Sequence, residues 1–79
     1  MKYLLDTHAL LWYLFDNENL SGTALNIINN EVCYYTKVSL WEIAIKQTRK
    51  LLITMAIEND LTIITKDSKI SLYDVKTVW

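Results

Sequence analysis

Four short apolar runs set what this chain can fold into: KYLL at residues 2–5, VCYYT at 32–36, LTIIT at 61–65 and VKTVW at 75–79. The first is an uninterrupted apolar block of the kind a strand buried on both faces shows, and the second is β-branched and aromatic. The segments between them have helical features. Thr7 or Asp6 can cap a helix over residues 8–15, in which Leu10, Leu11, Leu14 and Phe15 recur at helical spacing. DNEN at 16–19 is a polar break, and Ser21 can cap a second helix ending near the Asn pair at 29–30. Ser39 opens SLWE, a capping box, and nothing clearly stops that helix before END at 58–60. The order strand, helix, helix, strand, helix, strand, strand predicts an α/β domain with a mainly parallel sheet and VKTVW at its edge.

In such a sheet ligands collect beyond the carboxyl ends of the strands, where strand order reverses. Three acids fall in places of that kind. Asp6 follows the first strand, Asp67 lies two residues past LTIIT, and Glu42 sits in the first turn of the helix after the second strand. Asp6 interrupts an apolar run, KYLLDTHALLWYL, and a carboxylate there is costly unless it is hydrogen-bonded, paired or bound to a cation. Three carboxylates drawn together repel, and a hard divalent ion, Mg²⁺ or Mn²⁺, relieves the repulsion. Such an ion activates water and neutralises phosphate charge, so the chemistry suggested is phosphodiester hydrolysis.

Each acid also has an ordinary explanation. Asp6 can cap a helix, Asp67 can be a turn residue, and Glu42 can complete the capping box with Ser39 and pair with Lys46 four residues on. His8 can be a surface residue at a helix start, since no set of His and Cys residues exists to make a zinc site with it. Trp12, Trp41 and Trp79 read as core or interface residues.

Composition narrows the choice further. A chain of 79 residues is one small domain, and it buries only roughly 60–65% of the surface exposed by its unfolded form. Its 52% hydrophobic content, with three Trp and five Tyr, suggests that a partner or a second copy covers part of the surface. A net charge of −1 and a pI near 5.7 exclude a simple nucleic-acid-coating module. They leave open an enzyme that holds RNA through a local patch and a metal ion. The single Cys33 excludes an internal disulfide and a CxxC site, reads as a small buried hydrophobe, and fits a reducing, cytoplasmic setting. No signal-peptide pattern is expected at the N-terminus, and ALLWYLF is too short for a bilayer, so no membrane partner is expected. With Gly22 the lone glycine there is neither a P-loop nor a dinucleotide fingerprint.

Four separated blocks, LLDTHALLW, VSLWEIAIK, LLITMAIENDLTIITKD and YDVKTVW, closely resemble the PIN-domain family, and within it the VapC-type toxins of bacterial toxin–antitoxin pairs. The likeness runs over nearly the whole length. It implies a PIN-like three-layer fold, a Mg²⁺- or Mn²⁺-dependent endoribonuclease activity on RNA, a homodimer, and inhibition by a cognate antitoxin protein. It also implies that Asp6, Glu42 and Asp67 are the catalytic, metal-binding acids.

The resemblance has a gap. Family members are longer between the WEIAIK helix and the LLI…A helix, so residues 1–79 read as a single truncated PIN-like domain with a reduced sheet. The position of the family's remaining acid falls on Arg49. Residues 39–59 would then form one merged helix of about 21 residues, roughly 31 Å long, and expose apolar faces on which another copy packs, in a dimer or a domain-swapped assembly. Arg49 stands seven residues after Glu42 on the same helix face. A guanidinium there takes over part of a metal's neutralising role, which implies weak metal affinity and weakened turnover. Lys46, Lys66 and Lys69 are candidate phosphate contacts. The alternative is a degenerate remnant that acts only through dimer or antitoxin binding.

Overall fold

In the computed structural model, which describes residues 2–35 and 45–79, β1 (Lys2–Leu5) leads through a one-residue junction into α1 (Thr7–Leu14). Then come α2 (Gly22–Asn30) and β2 (Val32–Tyr34). The long helix α3 (Ile45–Asn59) precedes β3 (Thr62–Ile64), a 3₁₀ turn at Ile70–Leu72 and β4 (Thr77–Val78). The strands form one sheet in the order β2-β1-β3-β4, and all three pairings are parallel. Leu4 lies opposite both Tyr34 and Ile63, which fixes the register across the centre. The expected α/β fold with a parallel sheet is met, and β4 is the edge strand.

The sheet separates two apolar clusters, as the two-residue period of a strand requires. Leu4 and Ile63 pack with Leu52, Ile53 and Ala56 of α3, together with Leu61 and Ile70. Their neighbours Leu5 and Ile64 pack with Ala9 and Leu10 of α1 and Ala24 of α2. Helices thus cover both faces, giving three layers.

The helix ends follow from local chemistry. Ser21 Oγ accepts the Ala24 N–H at 3.0 Å and caps α2, as its position in the sequence predicts. α1 and α3 each end on an aspartate in the left-handed region, Asp16 and Asp60, both at φ 52°. In each case the next amide reaches back five residues, Asn17 N–H to the Trp12 carbonyl at 2.8 Å and Leu61 N–H to the Ala56 carbonyl at 2.9 Å. That use of the Leu61 amide is why β3 begins at Thr62 and not at the expected residue 61. β4 is likewise shorter than VKTVW, since Val75 N–H closes a tight turn onto the Tyr73 carbonyl at 2.8 Å.

Cys33 is half-buried with its thiol 3.8 Å from the Ile27 carbonyl. Burial first, and Glu31 second, push that thiol above its ordinary pKa, so it is a packing residue and a poor nucleophile. Of the single helix expected over residues 39–59, the described part is helical over Ile45–Asn59. The first part of that expected helix, with Ser39, Trp41 and Glu42, lies outside the described residues. Large apolar side chains are exposed along α1 and just after it, at Leu11, Tyr13, Leu14 and Phe15. Among the described residues no helix is long and apolar enough to cross a membrane.

Candidate active site

The chain moves from β1 outward to β2 and then crosses back over β1 to place β3 on its other side. Strand order therefore reverses between β1 and β3, and the carboxyl ends of those two strands define the crevice in which open α/β sheets bind ligands. Asp6 follows β1 and Thr65 to Asp67 follow β3, so both described acids stand at this switch point.

Asp6 occupies the N-cap position of α1 with extended backbone, yet its side chain makes no capping bond. Its main chain is held on both sides: its N–H donates to the Ile64 carbonyl at 3.1 Å, and its carbonyl accepts the Leu10 N–H at 2.9 Å. The carboxylate is 7% exposed and accepts a hydrogen bond from the Thr65 hydroxyl, Oγ1 to Oδ2, at 2.6 Å. The capping explanation for Asp6 fails on this geometry. Its side chain is turned toward β3, and Thr65 supplies the partner that a buried carboxylate needs.

Thr65 Oγ1 also accepts the main-chain N–H of Asp67 at 3.0 Å, so one hydroxyl links the Asp6 carboxylate to the Asp67 backbone. Asp67 Oδ1 accepts the Lys69 N–H at 2.9 Å, and Oδ2 accepts Arg49 Nε at 3.1 Å and pairs with Arg49 Nη2 at 2.9 Å. Burial raises the Asp67 carboxyl, but the Lys69 amide, the Arg49 hydrogen bond and the charges of Arg49 and Lys69 outweigh it. The carboxyl is held below its ordinary range. Asp67 is thus a turn residue, as its ordinary explanation had it, and also the anchor of a partly exposed ion pair. Thr7 Oγ1, beside Asp6, is buried without a hydrogen-bond partner among the described residues.

The sequence reading missed Thr65. The available signal was its place two residues before Asp67, where a hydroxyl can accept the i+2 amide. Its bond to Asp6, 59 positions away, follows only from the β1–β3 register. Glu42 and the side chain of Lys46 lie outside the described residues, while Lys66 and Lys69 are exposed.

The carboxylate oxygens of Asp6 and Asp67 fit a hard divalent ion in kind. Two of the Asp67 acceptor positions are already taken by Arg49, and among the described residues no three His, Cys, Asp or Glu side chains stand together as a ligand set.

In this three-layer α/β domain the buried Asp6 and the second acid, Asp67, share the edge of the parallel sheet at which strand order reverses. Compared with known protein families, the chain matches the PIN domain over residues 3–52, more than half its length. It belongs to the PIN-domain family, whose function is of the nuclease type and whose members generally depend on divalent metal. The matched span includes Asp6, Glu42 and Arg49, and Asp67 lies beyond it. Searches of curated proteins and of solved structures give no match.

Proposed function

We propose that this chain is a VapC-like PIN endoribonuclease, the toxin of a toxin–antitoxin pair, with activity weakened by an internal deletion within a single domain spanning residues 1–79. The observation that carries the reading is the buried Asp6 carboxylate, tied through Thr65 to Asp67 at the switch point. In this reading Asp6, Glu42 and Asp67 are the catalytic acids and hold Mg²⁺ or Mn²⁺ weakly. When bound, the ion supplies an activated water and neutralises phosphate charge. The rest is done by the chain itself. Thr65 fixes the Asp6 carboxylate, Arg49 balances the charge of Asp67, and Lys46, Lys66 and Lys69 meet the RNA phosphates.

The exposed apolar side chains of α1 support a homodimer, domain-swapped in one form, and a surface for a cognate antitoxin. Light scattering that shows only monomer at micromolar concentration would remove the dimer. The lone half-buried thiol suits a cytoplasmic protein.

A second reading rests on the Arg49–Asp67 pair: a remnant that kept its fold and binding surfaces while a guanidinium replaced the ion. Thermal melts separate the two. An ion at ten times its Kd stabilises the folded chain by about 1.4 kcal/mol, a rise of roughly 5–10 °C for a domain of this size. The enzyme reading expects that rise with Mn²⁺ and its loss in Glu42→Gln. A chain that ignores Mn²⁺, and that gains stability in Glu42→Gln from relief of repulsion, is the remnant.

A further inference from the structure

Beside the acids lies a group that joins Lys66, read above as a phosphate contact, to three rings given no role so far, His8, Trp12 and Trp79. His8 and Trp12, one turn apart on α1, stack with ring centroids 5.6 Å apart and planes at 29°. Trp79 meets Trp12 edge-on, at 5.7 Å and 64°. Lys66 brings Nζ to 5.9 Å from the Trp12 ring centroid, within the reach of a cation–π contact. His8 and Lys66 are exposed, while Trp12 and Trp79 are half-buried.

The placement of the group is specific. His8 is two residues beyond Asp6, Lys66 lies between Thr65 and Asp67, and Trp79 directly follows β4. These segments leave the carboxyl ends of β1, β3 and β4, the edge of the sheet that holds the acids. Lys66 turns to Trp12 on the α1 side, whereas its neighbours Thr65 and Asp67 engage Asp6 and Arg49. The acids are thus flanked on one side by a stacked aromatic pair carrying an ammonium group.

Packing alone accounts for the Trp12–Trp79 contact, which ties α1 to the end of β4. Helix spacing brings His8 beside Trp12, but neither that spacing nor the Trp12–Trp79 packing requires an exposed lysine from a separate strand end to sit over the same indole. Exposed aromatic faces beside cations are what unpaired nucleotides bind, because every base has a face to stack and every link carries a negative charge.

We propose that His8, Trp12 and Lys66 form a subsite for single-stranded RNA. A base extends the His8–Trp12 stack on the open face of His8, and Lys66 meets the adjoining phosphate. The subsite positions the strand across Asp6. This inference rests on the RNA reading above, and it assigns the positioning of the strand to His8, Trp12 and Lys66.

The test is fluorescence anisotropy of a labelled, short single-stranded RNA with the full chain in EDTA, where binding is read without cleavage. His8→Ala should weaken binding by about fivefold or more, the range expected for one lost base stack, and His8→Phe should restore it. Lys66→Gln should lower the slope of log affinity against log salt by about 0.7, one phosphate contact on a single strand, and Lys66→Arg should keep it. Both side chains are exposed, so the variants should melt close to the parent. If His8→Ala also lowers the melting temperature, the Lys66→Gln salt slope decides. Unchanged binding and slope in these variants overturns the subsite, as does the absence of RNA binding by the parent. Metal-dependent cleavage with binding unchanged in His8→Ala removes the subsite alone. RNA binding that depends on His8 in a chain that never cleaves removes the catalytic reading alone.

Discussion

Thr65→Val is expected to melt about 10 °C below the parent, the equivalent of about 2 kcal/mol in a domain of this size. Valine keeps the volume of threonine, so packing at the end of β3 changes little. What disappears is the hydroxyl that donates to Asp6 Oδ2 at 2.6 Å and accepts the Asp67 N–H at 3.0 Å. Hydrogen bonds to charged groups contribute about 1.5–3 kcal/mol, and the cost rises when the group left behind is buried. Asp6 is 7% exposed, so little water can take over the role of Thr65. Thr65→Ser retains the hydroxyl and should recover most of the stability. Differential scanning calorimetry decides the point: a Thr65→Val transition within about 2 °C of the parent, under 1 kcal/mol, would mean that the hydroxyl does not hold Asp6.

Arg49→Gln is expected to act in two directions at once. The Arg49 and Asp67 side chains are 18% and 27% exposed, partly screened by water, so their pair contributes about 1 kcal/mol. The Asp67 carboxyl titrates below its ordinary range in the folded chain, burial being outweighed by the Lys69 amide and by Arg49. The stabilisation is therefore full above the unfolded value of roughly pH 3.9 and is lost as pH falls through the lower folded value. Arg49→Gln should be less stable than the parent at neutral pH, and the gap should close on acidification below that window. Urea titrations at neutral and strongly acid pH measure it, and a gap that stays constant would contradict the pairing. In the other direction, an ion that needs Asp67 must displace Arg49, so removing the guanidinium should tighten Mn²⁺ binding by about fivefold, the equivalent of that 1 kcal/mol. Isothermal titration with Mn²⁺ reads this directly. Equal affinity in parent and variant would mean that Arg49 and the ion do not compete.

How much of this could be read from the residues differs by element. The strand and helix order was legible because each β run is short and bounded by polar breaks, and because Ser21 is a cap that local chemistry enforces. Asp6 stood out because a carboxylate inside an apolar run demands a partner. Which partner it has could not be read, since the Thr65 hydroxyl reaches it only once β1 and β3 are paired. Helix periodicity and the family resemblance put Arg49 near the acids. That Asp67 is the acid it grips, 18 positions away, is a tertiary fact. The tryptophans read as core or interface residues, and Trp12 and Trp79 do pack on each other. The His8–Trp12 stack has a local signal in their i,i+4 spacing on one helix, whereas Lys66 and Trp79 reach Trp12 from separate strand ends and have none.

The claim that matters most is that Asp6 belongs to a metal-dependent site acting on RNA. Its most direct test is cleavage of a mixed RNA substrate with Mn²⁺, with Mg²⁺ and with chelator, run beside Asp6→Asn purified identically. Cutting that requires the metal and disappears in Asp6→Asn is the expected result, and it would establish that the acids retained in this chain suffice. Equal traces in both samples would mean a contaminating nuclease, and would leave a PIN-domain scaffold whose carboxylates no longer serve a reaction.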